Sequence, residues 1–452
     1  MSVLNDLQSL PPDSRKFLVF TGFNLVSWQC IVGTVLVLFS RALGMPSSWV
    51  GTLLSFLPLS MLLVIFSIPA VETYGPRKLL IVTWLMRNIV ASFILTIPLA
   101  IYLWDIEISW YILLFSILCF SLVRAFGVGA WFPWLHELVP KNRMGAFFSV
   151  ETILAQVLTV LVTFGLAVIL TINNGLERFY WIYGIGITAG LLSVWFARYI
   201  PGGISHSLNT DPSEKFLVLR HALRDKKYLQ FIMLIILSIS AIAWINVSSI
   251  LYLRDVLGYS DSKIMNLVTV GAIGVALAVQ FSSKILESFR SKVILSFLMA
   301  LQMLISICWC LISPDIKSTL FYTLPLIVFG AIINAGFIIV ASQMMMGMAP
   351  NQDRVGYTSL WITGTSISNG IPPILSGWLI RLFQMPGYRT CFLLAAGSAT
   401  IVAILWSRFR WDEEEKILNI HHIVKPHQPL RTLQRITWLV RSRKKNNSHK
   451  RH

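Results

Sequence analysis

The stretch Ser121–Gly145, S-L-V-R-A-F-G-V-G-A-W-F-P-W-L-H-E-L-V-P-K-N-R-M-G, decides the fold. It opens inside an apolar run that carries an arginine, Arg124, and closes on a polar turn, Pro140…Arg143-x-Gly145. A related turn, Pro350…Arg354-x-Gly356, returns about 211 residues later. The chain therefore reads as two copies of one membrane unit.

Working outward, hydrophobic residues make up 56% of the 452 and charged residues 13%, whereas a soluble globule carries roughly 25% charged residues. This is the composition of a polytopic membrane protein. Crossing a bilayer core takes about 20 apolar residues, and backbone facing lipid must satisfy its own hydrogen bonds, so long apolar runs become helices. Twelve are expected, at 17–40, 48–70, 79–103, 110–135, 146–172 and 179–200, then 228–252, 262–286, 292–313, 319–346, 356–381 and 388–409. The expected fold class is all-α, with twelve transmembrane helices in two repeated six-helix bundles, residues 1–200 and 228–409.

The net charge of +17 is explained by membrane topology, without a nucleic-acid partner, because the basic residues sit in inter-helix loops and the tail. One set of loops holds Arg77, Lys78, Lys141, Arg143, Arg198, the cluster Lys215–Lys227, Lys284, Arg290, Lys292 and Arg354. The opposite set holds Arg41, Arg178, Arg254, Lys263, Lys317, Arg381 and Arg389. The richer set marks the cytoplasmic side, which places both termini inside a bacterial-type inner membrane. With no Ala-x-Ala cleavage site before the first apolar run, that run is expected to stay as a helix.

Between the halves, residues 201–227 form a cytoplasmic connector in which Asp211, Pro212 and Glu214 start a short amphipathic helix. The tail, 410–452, contains an arginine-flanked stretch, Leu430–Val440, suited to anionic lipid; a disordered anchor is the alternative. The five cysteines lie in apolar runs and give neither a disulfide framework nor a metal site.

Two loops repeat a charge pattern. Val71-E-T-Y-G-P-R-K78 and Leu286-E-S-F-R-S-K292 each place an acid five residues before a base, so that Glu72 aligns with Glu287 and Arg77 with Lys292. The first loop resembles the G-x-x-x-D-R-x-G-R-R/K motif of the major facilitator superfamily, with Glu72 for the acid, Gly75 for a glycine and Arg77 and Lys78 for the bases; it departs at Ile68 and Pro76. Arg124-A-F-G127-V-G129 resembles the family's R-x-x-Q-G-x-G motif, one residue short and without the glutamine. In the eleventh span, Gly370, Pro372 and Pro373 resemble its glycine-proline bending motif. The resemblance covers essentially the whole chain. It implies two bundles around a central cavity bordered by the first, fourth, seventh and tenth helices, with inner-gate loops at Glu72, Gly75, Arg77, Lys78, Arg143, Glu287, Lys292 and Arg354.

Charges inside spans are costly and mark chemistry. Arg124 lies about 12 residues, roughly 18 Å, from the expected cytoplasmic end, and is expected either to face a wet cavity or to meet an acid. Arg87 and Glu151 lie at similar depth, so pairing between them is one expectation. Glu151 is also the candidate for carrying a coupling proton, since an ionised carboxylate is expensive within an apolar span. Asn24, Trp28, Gln29, Asn246 and Asn334 join Arg124 as candidate cavity residues.

No G-x-G-x-x-G after a strand, P-loop or H-E-x-x-H is present, so neither an enzyme nor a cofactor is expected. The reading is a gradient-driven secondary transporter, a symporter or uniporter, moving a small organic solute by alternating access, with proton coupling as the expected drive. A non-transporting sensor or lipid-handling protein on the same scaffold is the alternative. Arg124 favours an anionic or polar organic solute.

Overall fold

The structure, a computed structural model, describes residues 7–140, 143–172, 175–203, 221–314, 318–349 and 354–409; residues 65, 68, 280–288, 354 and 355 are described by backbone alone. The expected amphipathic helix in the connector and the basic tail lie outside the described residues. So do the side chains of Glu287 and Arg354.

Among the described residues, twelve long helical segments follow in order: α1 (Pro12–Ala42), α2 (Ser47–Val64, continuing to Tyr74), α3 (Pro76–Leu103), α4 (Ile106–Val128), α5 (Met144–Ile172), α6 (Glu177–Ala197), α7 (Lys226–Asp255), α8 (Asp261–Ser288), α9 (Ser291–Leu311), α10 (Thr319–Met348), α11 (Arg354–Phe383) and α12 (Met385–Arg408). All but α11 are long and apolar enough to cross a membrane by composition; α11, at 30 residues, has the length but carries a polar middle. Large apolar side chains such as Leu161, Phe164, Trp181, Phe297 and Phe321 face outward, which makes the outer surface a lipid-facing band. The chain is a multi-pass integral membrane protein.

Several spans expected to be continuous are broken. α1 divides at Val32–Gly33, where Gly33 adopts φ 72° and a nine-residue helix restarts at Thr34; a left-handed backbone at that point suits glycine. α2 and α3 tighten into 3₁₀ turns at Met61–Ser67 and Phe93–Thr96. α4 stops at Val128, and Trp131–Leu138 forms a separate short helix; Pro133 has no N–H for the Gly129 carbonyl and its ring crowds that carbonyl, which disfavours a continuous helix here. A Cβ on Gly127 would meet Thr83 and Trp84, and one on Gly129 would meet Ser67.

The two halves are related by their pairings. α2 packs on α11 across the middle, and α5 on α8; exchanging the halves turns one pair into the other. At α2–α11 the backbones nearly touch. A Cβ on Gly51 would strike the Pro373 carbonyl, one on Gly377 the Ser47 carbonyl, and one on Gly370 the Leu59 side chain. The small residues of α11 thus serve close helix contact. Pro372 and Pro373 sit inside an unbroken helix, where they leave the carbonyls of Ser368 and Asn369 without their usual helical donors.

An even number of spans puts the start of α1 and the end of α12 at one end of the bundle, called here the terminal end; the opposite is the far end. One apolar core, including Val35, Leu38, Leu251 and Ile264, runs across both halves. Toward the terminal end it gives way to two cores, one around Phe17, Trp84 and Trp134 in the first half and one around Phe231, Met344 and Trp406 in the second. The halves are therefore joined at the far end and parted at the terminal end.

Candidate substrate cavity

The loops expected to form the inner gate brace each half internally. The guanidinium of Arg77 donates to the Arg198 carbonyl at the end of α6 (2.7 Å). The ammonium of Lys292 donates to the Phe409 carbonyl just past α12 (3.2 Å). These are the two bases the sequence aligns, and each caps the C-terminal, partly negative end of the last helix in its own half. Gly75 takes φ 79° in the α2–α3 turn, a backbone conformation that favours glycine. Lys78 lies 5.9 Å over the Tyr74 ring, and the Arg143 backbone N–H closes a turn on the Pro140 carbonyl (2.8 Å) while its side chain stays exposed.

The far end is sealed by charge. Arg41 at the end of α1 makes a two-pronged pair with Asp255 at the end of α7 (3.0 and 3.1 Å). Arg178 at the start of α6 pairs with the buried Asp261 at the start of α8, and Asp261 also takes the Nε of Arg254 (3.1 Å). Arg254 donates onward to the Leu38 carbonyl (2.8 Å), and the Ser262 hydroxyl to the Ala167 carbonyl (3.0 Å). Every one of these, apart from Arg254–Asp261, crosses between halves. Sequence reasoning named the three arginines only as topological markers and missed both aspartates; the signal was there in Arg254-Asp255…Asp261, acids at the helix ends that face the arginines of the other half.

Between seal and parting lies a cavity of about 710 Å³, a size suited to a small organic molecule. Trp28, Arg124, Asn246 and Asn334 all stand in its wall. Asn24 and Gln29 do not, which corrects the expectation for those two. Asn24 points the other way, accepting from Trp84 Nε1 (2.9 Å) and Arg87 (2.6 Å); Gln29 donates to Thr159 of α5 (3.4 Å). The polar residues Ser366 and Asn369 of α11 and Ser249 of α7 also reach the cavity; the first two were missed because the small and polar residues of α11 read as a site of close helix contact and bending, and Ser249 because a lone serine in an apolar span gives no signal.

Among the described residues, Arg124 is the one charged side chain lining the cavity. Its guanidinium carbon lies 4.5 Å from the Trp28 ring centre, and one terminal nitrogen is 3.4 Å from Met61 Sδ, a weak acceptor. Arg87 is fully buried behind this wall, between Trp84 (4.5 Å) and Phe120 (5.3 Å), and its Nε finds no partner among the described residues. The suggested Arg87–Glu151 pair is not formed: Arg87 turns to Asn24, and Glu151 lines a separate 260 Å³ pocket with Thr21, Gly22 and Gln156 between α1 and α5.

A twelve-helix bundle split into pseudo-symmetric halves around a central cavity is a transporter architecture. The family model described as Major Facilitator Superfamily matches residues 17–345 and 316–446, and the chain belongs to that superfamily. Among solved structures, it is similar to the POT family transporter PepTSo (10% identity, TM-score 0.70, 89% of this chain and 98% of that one). It is also similar to the nucleoside transporter NupG (15%, 0.62, 90% and 99%) and to a D-xylose-proton symporter (14%, 0.62, 88% and 98%). No curated protein sequence matches the chain. Membership of the superfamily indicates a transporter rather than an enzyme.

Proposed function

We propose that the protein moves a small organic solute across the membrane by alternating access, with the terminal end facing the cytoplasm. The observation that carries this reading is the cavity's position, between halves that part toward one end and are sealed by inter-half ion pairs at the other. In this conformation the site opens inward. Rocking the halves about α2–α11 and α5–α8 breaks the far-end pairs and exposes the site to the other side. The positive-inside distribution of lysine and arginine supports the orientation, and the basic tail supports contact with anionic lipid.

Arg124 contributes to the solute site. Glu151, a carboxylate within α5 in its own small pocket, is the group we assign to proton coupling. The bases Arg77 and Lys292 with their partner loops bias the inner gate by holding each bundle rigid as it moves. Saturable uptake by reconstituted proteoliposomes tests this reading. Uptake is expected to fall when the proton gradient is collapsed, to lose that dependence in Glu151→Gln, and to vanish in Arg124→Ala protein that still inserts and folds. Normal uptake by folded Arg124→Ala protein sinks the role of Arg124, and ligand binding without any flux sinks transport.

A further inference from the structure

We propose that the cavity binds a singly charged organic anion, a carboxylate on an apolar body with a neutral hydrogen-bonding group at its other end; this rests on the transport reading above and names its substrate class. The argument begins with charge. Among the described residues, no carboxylate, lysine or histidine lines the cavity, so Arg124 alone sets its sign. Behind it, Arg87 adds a second, fully buried cation that bonds to a neutral amide and not to an acid. A buried cation without a counterion is costly, and an incoming anion relieves that cost in both residues.

Arg124 also has donors to spare. Its guanidinium carbon lies 4.5 Å from the Trp28 ring centre, and an indole ring offers its N–H groups no oxygen acceptor. A guanidinium can grip a carboxylate with two parallel hydrogen bonds, and Met61 Sδ is too weak an acceptor to compete for them. The break in α1 adds to the field. Gly33 and Thr34 stand in the cavity wall where the helix Thr34–Ala42 begins, so its partly positive N-terminal end faces the site.

The opposite wall is neutral. Asn246 of α7 and Asn334 of α10 line the cavity and make no hydrogen bond to the described residues, while Asn369 of α11 uses its NH₂ on the Thr365 carbonyl and keeps its oxygen. Amides both donate and accept, so they suit a hydroxyl, carbonyl or amide on the far side of the ligand. Leu54, Leu57, Ile250 and Leu326 fill the space between and match an apolar body. With no acid present, amines, zwitterions and polycations lack a partner for their positive group.

The test uses purified full-length protein and matched triplets, each a carboxylate, its primary amide and the corresponding amine on one apolar body, aliphatic in some sets and aromatic in others. Thermal stabilisation at millimolar concentration is the binding readout, and counterflow in proteoliposomes reads transport. The carboxylate member is expected to stabilise most in its triplet. Arg124→Gln is expected to weaken the carboxylate by about 10- to 100-fold and leave the amide unchanged, a selective loss that a merely structural arginine does not give. Amide or amine binding equal to or stronger than the carboxylate, or no stabilisation by any member, overturns the anion site. Because the ranking is read in the unmutated protein, misfolding of the variant does not rescue the proposal. Counterflow of neutral or cationic solutes without carboxylate preference overturns the anion site and leaves transport standing; carboxylate-selective binding without flux does the reverse.

Discussion

The far-end seam and the central cavity handle the same residue in opposite ways. In the seam, Arg41, Arg178 and Arg254 each meet a carboxylate from Asp255 or Asp261. In the cavity and just behind it, Arg124 and Arg87 meet aromatic rings, a thioether and an amide, and no acid among the described residues. The first arrangement spends charge on holding the halves together. The second keeps charge available, at an energetic cost that folding tolerates only if something else is gained. An arginine's partner, more than its depth, therefore separates a structural cation from a binding one.

The largest expected effect comes from unpairing the seam. Asp261→Asn leaves Arg178 and Arg254 facing each other in a site where the acid is only 4% exposed, a loss of about 3–5 kcal/mol by analogy with broken buried pairs. A lower melting temperature, together with longer distances between spin labels at Thr171 and Ser260, is expected; unchanged values break the contrast. The converse substitution pairs the cavity. Met61→Glu puts a carboxylate beside Arg124, worth about 1–3 kcal/mol of local stabilisation, and is expected to abolish binding of carboxylate ligands in a thermal-shift assay while the fold holds. Persisting carboxylate binding would show that Arg124 is not the anion's partner. The smallest change is Asp255→Asn. The pair with Arg41 is 24% and 19% exposed, so about 1 kcal/mol or less is expected in melting experiments; a loss as great as that of Asp261→Asn removes the distinction between buried and exposed members of the seam.

Much of the fold was legible because spanning helices obey one simple rule, a run of about 20 apolar residues. The aligned bases Arg77 and Lys292 carried the duplication, and both cap the sixth helix of their own half. The break at Gly33 was not legible: hydropathy continues through it, and only a backbone angle marks it. The cavity was legible by helix and not turn by turn. Asn24 and Trp28 are four apart and share a face of α1, yet Trp28 reaches the cavity while Asn24, one turn away, is taken up by Trp84 and Arg87. Spacing along one helix says which residues share a face; it does not say which neighbour each turn of that face will meet. The seam aspartates escaped for a related reason, since an acid at a helix end looks like a cap until the opposing half is in place.

The polar middle of α11 has a bearing on how the molecule is made. Eleven helices are apolar enough to enter the bilayer on their own terms; α11 is not, and a weakly apolar segment partitions poorly by itself. Its principal companions are α2 and α7, and α2 leaves the ribosome some three hundred residues earlier. The groove that Gly51 and Ser47 offer to Gly377 and Pro373 is thus also a berth awaiting a late arrival. Insertion of α11 is therefore expected to rely on α2 staying within reach, unoccupied by lipid or by another helix, until almost the last span has been synthesised.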